Sequence, residues 1–253
     1  MPPNRTPVAQ AARLLAEAQA AWALTGAGVS TASGIPDFRS PGGLWDLADP
    51  EEVASIEGFR RNPERFWSFW TWRFRKMEGA RPSAVHALLA WLERQGLLRG
   101  VVTQNIDGLH QRAGSRTVIE VHGHIRSGTC LSCRSSYPLA EVVHQTESHG
   151  IALCPCGGLI KPDVVLFGEE LGEGFTRAVA AVAEADLLFV LGSSLTVWPV
   201  AGLVPQAAAL GAALVIANRE PTPYDERATV LLRGDLVDTA RALGRELGMT
   251  DDA

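Results

Sequence analysis

Two short polar clusters stand at the ends of apolar runs in the middle of the chain. Thr103-Gln104-Asn105-Ile106-Asp107-Gly108-Leu109-His110 follows the run 98–102, and His122-Gly123-His124 follows the run 118–121. Gln, Asn and Asp offer directional hydrogen bonds to sugar hydroxyls and to an amide, and His122 is of the type that takes a proton near neutral pH. A third cluster lies nearer the start: Leu24-Thr25-Gly26-Ala27-Gly28-Val29-Ser30-Thr31-Ala32-Ser33-Gly34-Ile35-Pro36-Asp37-Phe38-Arg39-Ser40. Glycines after a buried strand let main-chain N–H groups approach an anion, the arrangement that cradles a phosphate. The spacing departs from the usual dinucleotide fingerprint, because position 31, where a third glycine belongs, is Thr. A glycine loop is otherwise a plain turn. A plain turn has no need of the acid, aromatic and arginine at 37–39.

Cys130-x-x-Cys133 and Cys154-x-Cys156 form two close pairs, followed by Gly157-Gly158. They are either buried free thiols or a tetrahedral zinc site, and paired spacing favours the metal. Four protein ligands leave no position for water, so such a zinc is structural, worth about 10–16 kcal/mol of apparent binding energy.

These residues need a scaffold. Apolar runs at 20–24, 98–103, 118–121, 187–192, 213–217 and 229–232 are rich in Val, Ile and Leu, as parallel strands buried on both faces are. Helical stretches at 6–20 (Thr6 as cap, Pro7 first), 82–95, 174–185 and 200–210 alternate with them. The pattern predicts an α/β fold, a doubly wound parallel sheet with its crevice at the carboxyl ends of the strands. Regions 40–80 and 129–158 break the alternation and are read as a smaller inserted domain, leaving 1–39, 81–128 and 159–253 to the large one. His86, His144 and His149 read as ordinary core or surface, His110 is open, and 250–253 reads as a frayed end. At 46% hydrophobic residues and a net charge of −5, the chain has a real core and is no binder of nucleic acid by phosphate neutralisation. No apolar run approaches a membrane span, and Arg13 and Glu17 interrupt any leader, so the expected place is the cytoplasm.

Taken together, the motifs resemble those of the sirtuins, NAD-dependent protein lysine deacylases, and of their bacterial type. The resemblance is carried by residues 26–30 and 34–39, by 103–110 and 122–124, and by the four cysteines. It continues in Lys161-Pro162-Asp163-Val164-Val165-Leu166-Phe167-Gly168-Glu169, Gly192-Ser193-Ser194-Leu195 and Asn218-Arg219-Glu220. It implies a Rossmann-like large domain with a smaller zinc-ribbon and helical domain inserted. It implies NAD as a consumed co-substrate, with the pyrophosphate against Gly26, Ala27, Ser30, Gly192, Ser193 and Ser194. Asn218 and Glu220 would bind the adenosine ribose, with Leu236 near the adenine. Asp107 and Ile106 would hold the carboxamide, and Gln104 and Asn105 the ribose and the attacking water. Phe38 would shield the sugar from free nicotinamide, while Asp37 and Arg39 order the loop that begins at Ser40. The acyl oxygen would displace nicotinamide, and His122 would act as general base on a ribose hydroxyl, giving free lysine and O-acyl-ADP-ribose. Cys130, Cys133, Cys154 and Cys156 would hold one structural Zn2+.

An acylated protein or peptide would bind by strand addition between 165–169 and 197–200, touching Val165, Gly168, Glu169 and Val197, with Val164 and Phe167 lining the lysine tunnel. Relatives selective for succinyl or malonyl lysine carry Tyr-x-x-Arg; here the match is Trp70-x-x-Arg73. Trp70 lacks the phenol, so acetyl-lysine is expected to be used well and succinyl-lysine poorly. Mono-ADP-ribosyl transfer, preference for longer or acidic acyl groups, a non-catalytic sensing module and a dehydrogenase are the alternatives.

Overall fold

Six of the apolar runs form one all-parallel sheet in the computed structural model, which describes residues 6–250. The strands among the described residues are β1 (Ala21–Thr25), β2 (Gly100–Thr103), β3 (Val118–Glu120), β4 (Gly123–Cys130), β5 (Ser136–Pro138), β6 (Ile160–Val164), β7 (Leu187–Leu191), β8 (Ala213–Ala217) and β9 (Val230–Leu232). The large sheet runs in the order β3-β2-β1-β7-β8-β9. Each half winds outward from β1 and β7, which lie side by side although far apart in sequence, so the strand order reverses between them. That reversal is where an open α/β sheet has its ligand crevice.

Both faces of the sheet are covered, which is why β1 and β7 are buried along their whole length. On β7, Leu187, Phe189 and Leu191 join the core under α1 (Pro7–Glu17), α5 (Ala84–Arg94) and α10 (Leu236–Glu246). Leu188 and Val190 join the opposite core, under α8 (Glu173–Ala183) and α9 (Leu203–Ala209). Thr6 caps α1 as expected, accepting from the Ala9 N–H at 3.1 Å. The helix stops at Glu17, short of residue 20, because the Asp186 carboxylate takes the Gln19 and Ala20 amides at 2.7 and 3.0 Å and draws the chain into β1.

A second core surrounds the antiparallel sheet β5-β4-β6. Around it lie α2 (Pro50–Val53), α3 (Ile56–Arg61), α4 (Pro63–Glu78) and α7 (Leu139–His149), while the short α6 (Leu109–Arg112) follows β2. Asn62 and Pro63 start α4, whose Phe66, Trp67, Trp70, Phe74 and Met77 recur at helical spacing and fill this core with Phe59 and Ile160. β4 and β6 reach beyond 129–158 toward the large sheet, so His122 directly precedes β4. Residues 251–253 of the expected frayed end lie outside the described residues. No helix among the described residues is long and apolar enough to cross a membrane.

Candidate active site

The crevice is closed at its base by two loops pressed together. After β1, the Gly26 N–H donates to the Leu191 carbonyl at 3.1 Å, and the Gly28 N–H to the Gly192 carbonyl at 2.9 Å. A Cβ on Gly26 would stand 2.7 Å from the Gly192 oxygen, and one on Gly28 2.8 Å from the Gly192 Cα. Gly192 itself has φ +61°. These glycines therefore first let two main chains touch, a use the phosphate-cradle reading did not anticipate. Leu195 beyond them is buried at φ +55°, a conformation few leucines adopt.

Ser30 is the hub of the polar network. Its Oγ donates to Asp107 Oδ2 at 2.7 Å and accepts from Asn105 Nδ2 at 3.1 Å. The same Asn105 amide donates to the Gly26 carbonyl at 3.0 Å, and the Leu109 N–H donates to Asp107 Oδ1 at 2.9 Å. Asp107 is buried with both oxygens engaged, and Ile106 beside it is buried too. Gln104 Nε2 donates to Ser193 Oγ at 2.9 Å, tying the β2 end to the β7 loop. Ala27 and Ser194 are half-buried in the same loops.

His122 lies across this network. Its Nδ1 meets the Gln104 carbonyl at 3.1 Å, an acceptor only, so Nδ1 carries the hydrogen and Nε2 keeps its lone pair. Burial lowers its pKa below the usual 6.5, against the opposing pull of that carbonyl. A neutral imidazole with a free Nε2 is what a general base requires.

Two further histidines sit beneath the loops. His86, read from sequence as ordinary, is fully buried, and its Nδ1 accepts the Ser83 N–H at 3.1 Å. Its Nε2–H therefore points toward Ser30 Oγ, a long 3.5 Å away. His110 is settled as core: its Nε2 lies 2.9 Å from Thr25 Oγ1, which donates to Thr103 Oγ1 at 2.8 Å. Thr103 Oγ1 also accepts the Asn105 N–H at 3.0 Å. Ser83 and His86 are the supports that sequence reasoning missed; the Ser83-x-x-His86 spacing at a helix start was their one signal, the capping box.

Phe38 packs on Trp45 with centroids 4.9 Å apart, and the Asp37 carboxylate accepts the Arg39 and Ser40 amides at 3.2 and 2.9 Å. Asp37 thus orders the loop while the Arg39 residue stays exposed. At the far end of the crevice, Asn218 follows β8 and donates from Nδ2 to the Glu220 carbonyl at 2.8 Å. Leu236 opens α10 near them in the chain's last βα turn, half-buried.

The expected peptide edges already carry several of the chain's own hydrogen bonds. Phe167 uses both main-chain groups on the α3 entrance, donating to Ala54 at 2.8 Å and accepting from Ile56 at 3.0 Å. The Val165 N–H donates to the His122 carbonyl at 2.9 Å. Glu169 Oε2 accepts from the Leu166 N–H at 2.9 Å and pairs with Lys161 Nζ at 3.1 Å, so Glu169 shapes the turn. Val164 is buried, while Phe167 and Gly168 are exposed. Residues 197–200 form a turn, not a strand, because Pro199 has no N–H to give and the Ala201 N–H folds back to the Val197 carbonyl at 2.9 Å. Trp70 spends its Nε1–H on the Val53 carbonyl at 2.6 Å, and Arg73 is buried beside it.

The four thiols lie together, every sulfur within 4.8 Å of the others, with Cys130–Cys156 and Cys133–Cys154 at 3.5 Å. A zinc tetrahedron with bonds of about 2.3 Å has edges of about 3.8 Å, so the donor set fits. Gly157 at φ +83° makes the turn that the short Cys154-x-Cys156 pair needs, and a Cβ on Gly158 would stand 2.7 Å from Cys130 Sγ.

A family model described as the Sir2 family matches residues 26–199. An NAD-dependent protein deacetylase of Sulfolobus acidocaldarius is 49% identical over 214 residues, 84% of each chain. An NAD-dependent protein deacylase of Aeropyrum pernix is 42% identical, over 95% of this chain and 97% of its own. Among solved structures, a Sir2 variant with deacetylated p53 peptide and 3′-O-acetyl-ADP-ribose superposes with a TM-score of 0.92 at 41% identity, covering 95% of this chain and 98% of that one.

Burial pulls His86 down to about 4 and His110 to about 3, from 6.5 when unfolded. The unfolded chain therefore binds these protons first, and stability present above pH 6.5 is lost as pH falls toward 4, by up to about 1.4 kcal/mol per histidine per pH unit. Thermal melts between pH 7.5 and 5 are expected to show a falling midpoint, with a shallower fall in His110→Gln. Chelation of the metal is expected to unfold the β4–β6 ribbon, seen as lost amide protection over 123–164, with one zinc per chain by elemental analysis beforehand.

Proposed function

The chain belongs to the Sir2 family of NAD-dependent protein deacetylases, and from that membership we propose how its crevice removes acetyl groups from lysine side chains. The observation that carries the reading is the single network in which His122 is held by Gln104, while Asn105, Ser30 and Asp107 are mutually bonded. NAD is the consumed co-substrate. The Ala27, Ser193 and Ser194 amides, which the bonds within the two loops leave free, would face its pyrophosphate as it lies against Gly26, Ser30 and Gly192, and Asn218, Glu220 and Leu236 would face its adenosine. The Asp107 carboxylate, oriented by Ser30, accepts the carboxamide N–H, and the Ile106 backbone completes that contact. Phe38 covers the sugar. The acyl-lysine oxygen attacks C1′ of the ribose as nicotinamide leaves. His122 Nε2 then takes a ribose hydroxyl proton, and that oxygen attacks the former carbonyl carbon; water completes release of lysine and O-acyl-ADP-ribose.

The acylated peptide pairs with the main-chain groups of 165–168 that carry no internal bond, the Val165 carbonyl and the Gly168 N–H and carbonyl, and the lysine stem runs past Val164 and Phe167. Val197 closes the other side from its turn. Zinc on Cys130, Cys133, Cys154 and Cys156 holds the ribbon and takes no part in the reaction. We propose a large domain of 1–39, 81–122 and 165–253 and a small one of 40–80 and 123–164, which moves the expected boundaries at 128 and 159 because β4 and β6 pair in the small sheet. A metal-bound thiol set of this kind suits the reducing cytoplasm.

Protonating His122 removes the base, so kcat/KM is expected to be flat above pH 6.5 and to fall below it, because its pKa is lowered from 6.5. His122→Ala is expected to lose about 10²–10⁴-fold in deacetylation, read as O-acetyl-ADP-ribose by mass spectrometry. ADP-ribose appearing on protein without deacetylation would move the assignment to a transferase. On an acyl-peptide panel, acetyl is expected to turn over faster than succinyl, since Trp70 has no free donor and Arg73 is covered by rings. Faster succinyl turnover, lost on Arg73→Ala, would sink this preference.

A further inference from the structure

Arg73 is 6% exposed, and its Nε and Nη1 have no hydrogen-bond partner among the described residues. Taking a guanidinium out of water without acceptors is costly, and an apolar side chain of similar volume would fill the space without that cost. Packing alone therefore does not account for an arginine. What surrounds the charge is aromatic: Cζ lies 4.6 Å from the Phe38 centroid and 5.0 Å from that of Trp70. The two rings differ in how they are held. Trp70 is fixed by its bond to Val53 and by Phe66 and Phe74, whose centroids lie 5.7 and 5.1 Å away. Phe38 sits on the loop after Asp37, with Trp45 as its other aromatic neighbour. Burial lowers the Arg73 pKa to about 9, with Asp107 pulling it back up, so it stays cationic at neutral pH. A cation between two π faces attracts both, more strongly where water is excluded.

We infer that Arg73 is a positioning residue that holds Phe38 over the ribose through a cation–π sandwich anchored on Trp70, and so limits return of nicotinamide. The inference rests on the reading of Phe38 as the cover of the sugar. Once nicotinamide has left, C1′ is bonded to the former acyl oxygen. Return of the nicotinamide ring nitrogen forms the N–C1′ bond and breaks the C1′–O bond. The electron pair goes back to the oxygen, restoring NAD and acyl-lysine with no change of oxidation state. Forward reaction instead requires the ribose hydroxyl to attack first. A cover held in place favours the forward branch.

The test compares wild type, Arg73→Met, Arg73→Lys and Phe38→Ala. Labelled nicotinamide incorporated into NAD is divided by acetyl-peptide consumed, the peptide KM is measured, and the substrate-free protein is melted. Arg73→Met is expected to raise the exchange-to-deacetylation ratio about tenfold, with peptide KM little changed. It is also expected to melt no lower than wild type, because it removes a buried charge whose Nε and Nη1 have no hydrogen-bond partner among the described residues. Arg73→Lys, which keeps the cation, is expected to return most of the ratio. Should the Met variant fail to fold, Arg73→Gln reads the same ratio without the charge. An unchanged ratio in Arg73→Met or Gln while Phe38→Ala raises it overturns the inference. A raised peptide KM with the ratio unchanged also overturns it, placing Arg73 on the acyl chain instead. An unchanged ratio in Phe38→Ala sinks the reading of Phe38 itself.

Discussion

Main-chain contact between the loops after β1 and β7 is the constraint on which the site depends. Gly26 and Gly28 bond to Leu191 and Gly192 with no room for a methyl group between them. Because the loops meet there, the Gly26 carbonyl is available to Asn105, Ser30 reaches Asp107, and Gln104 reaches Ser193. Each of these bonds crosses from one strand end to another. A side chain at either glycine would part the strand ends and every cross-bond with them. The requirement falls on the sheet's switch point, where neighbouring strands diverge and leave a gap that only bare backbone bridges closely.

Much of this architecture was legible in the residues. The strands were readable because burial on both faces demands unbroken Val, Ile and Leu, and the helix start at Thr6-Pro7 because capping is local. The polar clusters at 103–110 and 122–124 fall at strand ends as their positions implied, and the paired cysteines converge. What stayed hidden depends on partners distant in sequence. His86 looked ordinary because its second contact, Ser30, is 56 residues away. The spent hydrogen bonds of Phe167 are set by Ala54 and Ile56, in a region with no strand signal. Periodicity shows that Arg73 shares a helix with Trp70; it does not show that a charge on that helix will be buried beneath a ring from another loop.

The base and the segment proposed to take the substrate are also linked directly. His122 gives its side chain to the crevice and its carbonyl to the Val165 N–H. The position of 165–168 is thus referenced to the residue that moves the proton. Lys161 stiffens the same segment, donating to the Val164 carbonyl at 2.7 Å as well as pairing with Glu169.

β4 starts one residue after His122 and ends on Cys130. A bulge between Gly123 and Gly128 shortens it, so its two ends face Val164 and Ile160 on β6, about 13 Å of strand apart, with the base near one end and a metal-binding thiol at the other. The ribbon then works as a remote hinge pin: its duty is to hold the far end of a lever, and the identity of the pin is indifferent to the chemistry. What the near end asks of the thiols is only that β4 and β6 keep their register. The thiols thus act on the base by position alone, through the length of one strand.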